Sequence, residues 1–329
     1  MLPDRLLVIT PRYAPVIVPS AKSTPAEVEP PAPVAKPPVV ARVGPSDSVP
    51  RVAERPRLAG TSAAAVIARF DSVGYDLAQV RAAAGPVPRL YLEELPRDLP
   101  DISSVAARKR LFVQAVLPMI LRINEEIATA RWRVERLEDR VMWDGAITPT
   151  DRAWLAATAE LYGAVPFDVP DLLSRMDIVP PSLALAQAAE ESGWGTSRFV
   201  REGNALFGQY TYNSKPGMVP ALRNEDSRHR VRSHDNLLAA VRSYVHNLNS
   251  HWAYEDFRSR RAALRKAGKT VDGYVLAGEL GSYSERRSAY VDSLRRIIRQ
   301  NRLGEFDRAW LNNRQWTAVI GPPKKRPPI

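Results

Sequence analysis

Residues 187–197 have the sequence Gln187-Ala188-Ala189-Glu190-Glu191-Ser192-Gly193-Trp194-Gly195-Thr196-Ser197, which leads from an apolar segment through two carboxylates into a glycine-rich turn. The preceding residues 182–189 contain no helix breaker, the two prolines before them suit a first helical turn, and Ser182 can act as the N-cap. The two glycines of the turn end the helix. The sequence therefore predicts a helix whose last turn presents a carboxylate.

Only one of the two adjacent glutamates can face a cleft, because successive helix positions point about 100° apart. A carboxyl group at the dry end of an apolar helix loses hydration, which disfavours its charged form and raises its pKa toward the range of a proton donor near neutral pH. The residues alone make Glu191 a candidate general acid. A solvated pair of surface charges is the ordinary alternative for Glu190 and Glu191.

A longer motif, AQAAEESGWGTSRFVREGNALFGQY at residues 186–210, resembles the glucosaminidase domain of bacterial peptidoglycan hydrolases, and within that group the Bax-like proteins. The pairing of ESGWGTS with NALFG shortly afterwards is a specific signal. Residues 244–251 (YVHNLNSH) and 280–286 (LGSYSER) extend the similarity, which covers roughly residues 65–305 and is strongest from about residue 175 onward. The resemblance implies that Glu191, and not Glu190, is the catalytic acid.

The same resemblance implies a mainly α fold, a lysozyme-like helical domain with a small β-hairpin insertion near Gln209 to Arg232. It also implies an activity, hydrolysis of the β-1,4 bond after N-acetylglucosamine in peptidoglycan, with Glu191 protonating the leaving oxygen and with no cofactor. Two alternatives remain open from the residues. An N-acetylmuramidase or lytic transglycosylase would use the same helix-borne glutamate, and an inactive wall-binding module would keep the motif without turnover.

Glycoside cleavage needs a second group that activates water or stabilises positive charge on the opposite sugar face. A second carboxylate, the N-acetyl oxygen of the substrate, or a loosely guided water could supply it. By resemblance the second glutamate is Glu225, with Asp226 as a close rival, although Ser233-His234 departs from the aromatic expected after the Val-Arg pattern. Surrounding arginines would keep either carboxylate ionised. A solvated turn neutralised by those arginines is the structural alternative.

Aromatic and amide side chains near the acid predict a sugar-binding surface, because pyranose rings pack on flat aromatic faces while their hydroxyls need placed polar partners. Two of the rings, Trp194 and Phe207, are equally consistent with core packing. By resemblance, Tyr283 reaches the cleft and Tyr290 belongs to the core. The predicted substrate-binding residues are Trp194, Asn204, Phe207, Gln209, Tyr210, Tyr212 and Tyr283.

Composition divides the chain into four parts. Of the 29 prolines, 13 lie in the first 60 residues, so we predict a disordered Pro-rich tail over 1–62. Accessory helices follow at 63–165. Apolar residues recur there at three- and four-residue spacing from Ile120 to Leu137, which predicts a long amphipathic helix that Pro118 kinks or begins. A second helix is predicted over Thr150 to Leu161. The catalytic domain is predicted over 166–305, and a basic, Pro-containing tail over 306–329.

Charge and motif content limit the partners. A net charge of +11 favours an anionic surface, which peptidoglycan and the cell wall provide. We expect no nucleic-acid binding, because the basic run from Arg258 to Lys269 lacks accompanying recognition motifs and is interpreted as a solvated face. The four histidines lack metal-ligand spacing, so no metal is predicted. No signal peptide or membrane-spanning segment is legible; the cell envelope, periplasm or exterior is inferred from the substrate alone.

Overall fold

The computed structural model describes residues 62–211, 217–218, 230–312 and 318–320. The predicted mainly α class is confirmed, since very little of this part of the chain is strand. Its α-helices are α1 (Ala63–Ser72), α2 (Leu77–Arg81), α3 (Val105–Asp144), α4 (Pro149–Tyr162), α5 (Val169–Arg175), α6 (Pro181–Ser192), α7 (Arg198–Gly203), α8 (Leu237–Ser250), α9 (Glu255–Lys266), α10 (Gly273–Leu276) and α11 (Ser288–Gln300). Its strands are β1 (Leu90–Leu92), β2 (Tyr210–Thr211), β3 (Gly217–Met218), β4 (Arg230–Arg232) and β5 (Ala318–Ile320). Short 3₁₀ turns connect several helices, and the first 61 residues, assigned to a tail, lie outside the described range.

Helix α6 is the central element of the fold. Every residue from Pro181 to Ala189 is buried. Helices α3, α10 and α11 pack around it, together with the 3₁₀ turn Leu303–Arg308. A helix that is apolar on all sides is stable only when neighbours cover all of its faces, so this burial explains why the predicted segment forms a helix at the centre of the domain. The turn that carries Glu191 is thereby attached to a helix that is buried from Pro181 to Ala189.

The start of α6 differs from the prediction in its cap. Ser182 is not the N-cap: that position is Pro180, which has no capping side chain. Instead, Asp307 reaches the helix end from far along the sequence and accepts hydrogen bonds from the backbone N–H and the hydroxyl of Ser182, both at 2.7 Å. A carboxylate suits this position because the first N–H groups of a helix have no partners within it.

The assignment of residues 306–329 to a tail is wrong for its first part. Phe306 and Leu311 are buried, and Asp307 is bonded to α6. Strand β5 pairs in parallel with β1, with Leu90 opposite Ala318. The prolines and lysines that suggested a tail lie further on, at 321–329, outside the described residues. The prediction extended their composition to the apolar residues that anchor the start of this segment.

Helix α3 begins earlier than the apolar stripe suggested. Its N-cap is Ser104, whose hydroxyl accepts a hydrogen bond from the Ala107 backbone N–H, and it continues through Pro118 to Asp144. Pro118 therefore lies inside the helix and does not begin it. The helix packs on α6 and α8. Helix α4 starts at Pro149 with Thr148 as its cap, within two residues of the predicted start.

The predicted hairpin region contributes three strands in the part of the chain that the structure describes. Strand β4 lies between β2 and β3 and is antiparallel to both, with Val231 opposite Tyr210 in one pair and Met218 in the other. The insertion is therefore a small three-stranded sheet. Between β2 and β4 the structure describes only Gly217 and Met218.

Two arginines of the basic run from Arg258 to Lys269, Arg258 and Arg261, are buried. This corrects the interpretation of that run as a solvated face. Arg261 is fully buried, and its guanidinium donates hydrogen bonds to the carbonyls of Ser174, Arg175, Asp177 and Ile178 around the C-terminal end of α5. Burial lowers the pKa of Arg261 to about 10, so it stays charged at neutral pH. Five donors in a planar group can satisfy several carbonyls at once, and Arg261 stabilises the segment that leads into α6.

The carboxyl group that caps α6 predicts how the stability of the domain responds to pH. The hydrogen bonds from Ser182 and Gly273 favour the charged form of Asp307, but burial outweighs them and raises its pKa from 3.8 to about 6. A carboxyl whose pKa is higher in the folded state adds stability below its unfolded pKa, and that contribution is lost as pH rises through about 6. Relative to Asp307→Asn, which does not titrate, the wild type should lose up to about 3 kcal/mol between pH 4 and pH 7.

Urea unfolding at pH 4, 5, 6 and 7 measures this difference. Asp292→Asn on the exposed side of α11 is the matched control and should track the wild type at every pH. A wild-type minus Asp307→Asn difference that stays constant or grows with pH would contradict the assignment.

Candidate active site

Glu191 lies in the last turn of α6, where the chain reverses sharply. Gly193, Trp194 and Gly195 all have positive φ angles, of 58°, 57° and 83°. A side chain at Gly195 would meet Leu95 Cδ1 at 2.6 Å, so only glycine fits there. The Ser192 hydroxyl accepts a hydrogen bond from the Gly195 backbone N–H at 2.9 Å and closes the turn.

A second glycine brings the backbone against the Glu191 carboxylate. Gly208 has a φ of 59°, and a Cβ built on it would stand 2.9 Å from Glu191 Oε2. Any side chain at this position would both strain the backbone and displace the carboxylate. The NALFG motif therefore serves the acid directly, since its glycine provides the close approach.

The surroundings of Glu191 favour its protonated form. Burial is the largest influence and raises the pKa of the carboxyl group, and the neighbouring charge of Glu190 raises it further. A hydrogen bond from Tyr290 and the charge of Arg286 act in the opposite direction, but the net pKa remains above the ordinary value. The structure thus agrees with the desolvation argument that the helix end suggested.

A chain of buried hydrogen bonds leads to this carboxylate. The Tyr244 hydroxyl donates to Gln187 Oε1 at 2.7 Å, and Gln187 Nε2 donates to the Tyr290 hydroxyl at 3.0 Å. The Tyr290 hydroxyl in turn hydrogen-bonds with Glu191. Gln187, Tyr244 and Tyr290 are all fully buried. Because the Tyr290 hydroxyl accepts from Gln187, its own proton is left for Glu191, and the chain orients the hydroxyl toward that carboxylate.

Glu190 takes no part in this chain and is held by different partners on and just before α11. Its carboxylate pairs with Arg286 at 2.6 Å and accepts a hydrogen bond from the Ser293 hydroxyl at 2.9 Å. The different surroundings of the two adjacent carboxylates are those expected from the 100° step of the helix. Glu190 links α6 to α11 and influences Glu191 through its charge.

Stacked aromatic rings surround the acid. The Tyr283 and Tyr290 rings are parallel with centroids 5.7 Å apart, and Tyr254 lies 5.9 Å from Tyr283. The Tyr283 hydroxyl donates to the Phe207 carbonyl at 2.9 Å, and Phe207 stacks on Tyr244 at 3.9 Å. These contacts join the NALFG segment to the residues around Tyr283 on one side of Glu191.

Comparison of the sequence with known proteins assigns the chain to a family. The sequence signature of the family described as mannosyl-glycoprotein endo-beta-N-acetylglucosaminidase matches residues 170–303. "Protein bax" of Escherichia coli (strain K12) is 32% identical over 217 residues, which cover 62% of this chain and 73% of that protein. The chain belongs to the glucosaminidase family, among its Bax-like members. No solved structure matches it.

The glucosaminidase domain places the predicted substrate-binding residues at different depths. Trp194 packs edge-on against Phe112 with centroids 5.7 Å apart and has Lys109 Nζ 4.5 Å above its ring, while Phe207 is buried. Their described contacts are with the domain itself, so their role toward sugar stays a prediction. Tyr283 is half-buried beside the acid.

The two predicted amides lie on the loop after α7. Asn204 ends α7 and donates from Nδ2 to the His234 carbonyl at 3.2 Å, and Gln209 follows Gly208. Both Asn204 Oδ1 and Gln209 Oε1 are buried and have no hydrogen-bond partner among the described residues. Unused acceptors of this kind can accept hydrogen bonds from sugar hydroxyls or amides, and Gln209 is the one that directly follows the glycine beside Glu191.

Two candidates fall outside the described range. Glu225, the predicted second catalytic group, and Tyr212 belong to the undescribed segments of the β-sheet insertion, and for Tyr210 only the backbone in β2 is described. Their roles remain predictions.

The most important residues that sequence reasoning missed are those behind the acid. Gln187 precedes Glu191 by one helical turn, so a polar residue in an otherwise apolar run was the available signal. Tyr244 and Tyr254 carried no such signal, since buried tyrosines on α8 and after it are ordinary core residues. Among the described residues no group of three potential ligands is arranged to hold a metal ion, and no helix combines the length and apolar character needed to cross a membrane.

The hydrogen bond from Tyr290 predicts how the pKa of Glu191 responds when the tyrosine hydroxyl is removed. The hydroxyl stabilises the charged carboxylate, so Tyr290→Phe should raise the pKa of Glu191 further above its ordinary value. Carbon-13 NMR titration of the glutamate side chains measures this shift directly. Tyr274→Phe, a tyrosine that packs against Arg295, is the control and should leave the titration unchanged. A lower or unchanged pKa in Tyr290→Phe would show that the hydroxyl does not donate to Glu191.

Proposed function

We propose that this protein is an endo-β-N-acetylglucosaminidase that hydrolyses the β-1,4 bond after N-acetylglucosamine in peptidoglycan, with Glu191 as the general acid. The observation that carries the proposal is the surroundings of the Glu191 carboxyl group, where burial and Glu190 raise its pKa while Tyr290 orients it. Membership of the glucosaminidase family supplies the substrate class. A general acid must be neutral before the reaction, and this site favours the neutral form.

Glu191 would transfer its proton to the glycosidic oxygen as the bond from that oxygen to the anomeric carbon breaks. Positive charge then develops on the sugar ring, and water adds its oxygen to the anomeric carbon while its proton passes to an acceptor on the opposite face. Glu225 is our proposed acceptor, on the family resemblance. The arginines near it in sequence favour the ionised form that this role requires.

The neighbours of Glu191 prepare it for this step. Tyr290, fixed by Gln187, hydrogen-bonds with the carboxyl group, and Gly208 provides space next to Oε2. A proton donor that is already oriented lowers the activation free energy, because the cost of orienting it is met before the reaction. We therefore assign Tyr290 and Gln187 as positioning residues for the acid.

The net charge of +11 supports a place at the cell envelope. Peptidoglycan carries carboxylates on its peptide stems, and wall polymers are anionic, so long-range attraction would concentrate a basic enzyme at its substrate. We propose the periplasm, envelope or cell exterior as the site of action.

Replacing the acid tests the reaction. Glu191→Gln should lower the rate of peptidoglycan hydrolysis by at least about a hundredfold and leave sedimentation with purified wall unchanged, because only the proton donor is lost. Mass spectrometry of the wild-type products should show N-acetylglucosamine at the new reducing ends. Muramic acid at the new reducing ends would indicate a muramidase, and anhydro ends would indicate a lytic transglycosylase. If wild type and variant were equally inactive, the protein would be a wall-binding module.

Glu190→Gln is the matched control for this experiment and also tests the electrostatics. It should retain turnover near its pH optimum, and because the charge of Glu190 raises the pKa of Glu191, the alkaline limb of kcat/KM should move to lower pH. A pH profile of kcat/KM for both proteins measures the shift. If Glu190→Gln were as inactive as Glu191→Gln, the assignment of the acid to Glu191 alone would be wrong.

A further inference from the structure

A polar cavity of about 590 Å³ adjoins the acid-bearing site. One of its walls is α8, whose residues Ser243, His246, Asn247 and Ser250 recur at helical spacing and share one face. Gln209 lies on the facing wall and contacts α8 through a hydrogen bond to the Ser243 carbonyl at 3.5 Å. Polar side chains at every one of these positions show that this is a solvated site and not a packing defect of the core.

Two connections place the cavity next to Glu191. Gln209 directly follows Gly208, the residue whose backbone approaches the Glu191 carboxylate. On the α8 side, Asn247 hydrogen-bonds with the Tyr254 hydroxyl, and the negative charge of Glu191 raises the pKa of that hydroxyl. A substrate held at the acid therefore has a second group within reach of this cavity.

Positive charge dominates the cavity lining. Arg175, Arg232 and Arg258 contribute to it, against the single carboxylate of Glu255. Arg175 is paired with Asp171 at 2.8 Å, and Arg258 is held by the carbonyls of Leu248 and His251.

Arg232 differs from the other two arginines. Its described hydrogen bond is to the neutral hydroxyl of Ser243 at 3.0 Å, and no carboxylate of the described residues pairs with it. Its charge reaches across the cavity: together with burial it lowers the pKa of His246. A half-buried guanidinium without an acidic partner is well suited to bind a carboxylate from outside the protein.

An aromatic ring, that of Trp252, lies at the edge of the cavity. Trp252 is 78% exposed, although indole rings are normally covered in folded proteins. Within the cavity, Gln209 Oε1 is a buried acceptor without a described partner. An exposed ring, an acceptor without a described partner and an arginine that meets no described carboxylate together match a ligand with a flat apolar face, an N–H or O–H donor and a negative charge.

We propose that this cavity binds a carboxylate that the substrate carries outside its sugar backbone, with Arg232 as the principal contact. The inference rests on the proposed action on peptidoglycan, where two groups have this chemistry: the carboxylates of the stem peptide and, on strands from which the stem peptide has been removed, the lactyl carboxylate of muramic acid. The consequence is a preference for carboxylate-bearing strands over a plain N-acetylglucosamine polymer.

Calorimetric titration of the Glu191→Gln protein tests the inference without turnover. The probes are a disaccharide-tetrapeptide from peptidoglycan, the same disaccharide with its lactyl carboxylate but no peptide, and diacetylchitobiose, which has no carboxylate. At least one carboxylate probe should bind about tenfold more tightly than diacetylchitobiose, and adding Arg232→Gln should remove that difference. Comparison of the first two probes identifies which carboxylate is bound.

Arg260→Gln, an exposed arginine on α9 that does not line the cavity, is the control for loss of one charge and should keep the preference. Ser243→Asp is a second variant that leaves the β4 backbone unchanged; its carboxylate would pair with Arg232 and should abolish the preference equally. Equal affinity for all probes, or a preference that survives both Arg232→Gln and Ser243→Asp, would overturn the proposal.

Turnover by the wild type separates this inference from the proposed function. Hydrolysis of peptidoglycan without any carboxylate preference would reject the cavity assignment alone. Carboxylate-dependent binding in a wild type that cuts no wall would reject the proposed reaction and support the binding site.

Discussion

The burial of α6 on every side is the constraint on which the rest of the structure depends. An apolar helix in the centre of the domain carries its last turn, with Glu191, into a region where water is scarce. Because this helix cannot move without disturbing α3, α10 and α11, the position of the carboxyl group is set by the core and not by a loop. The same packing that stabilises the fold therefore also raises the pKa of the acid.

Each end of α6 is completed by residues distant in sequence. At its start, Asp307 accepts hydrogen bonds from Ser182, and at its end Gly208 and Tyr290 contact Glu191. Gly208 comes from the end of the motif itself, and the other two partners come from segments that follow it, Tyr290 within the family match and Asp307 slightly beyond it. The glucosaminidase region is thus a cooperative unit, in which a change to the far C-terminal segment alters the helix that carries the acid.

The surroundings of Glu191 divide into a dry side and a polar side. Behind Glu191, the chain from Tyr244 through Gln187 to Tyr290 is buried, and hydrogen bonds join its members. Beyond Tyr254, the cavity along α8 is polar and carries Arg232, which no carboxylate of the described part of the chain contacts. Such a division is what the proposed function requires, an oriented proton donor beside a surface that holds a charged polymer.

The family resemblance, and not periodicity, favoured Glu191 over Glu190 as the acid, and that assignment stays a proposal. Local sequence determined the helix that carries Glu191 and its termination at Gly193, because helix periodicity and glycine conformations act over a few residues. It also predicted the mainly α class and the start of α4. Only the tertiary structure decided that Asp307 caps α6, that Arg261 is buried, and that Gln187, Tyr244 and Tyr290 form one chain. These contacts join positions far apart in the sequence, and a side chain bound to such a partner has the same local pattern as one exposed to water.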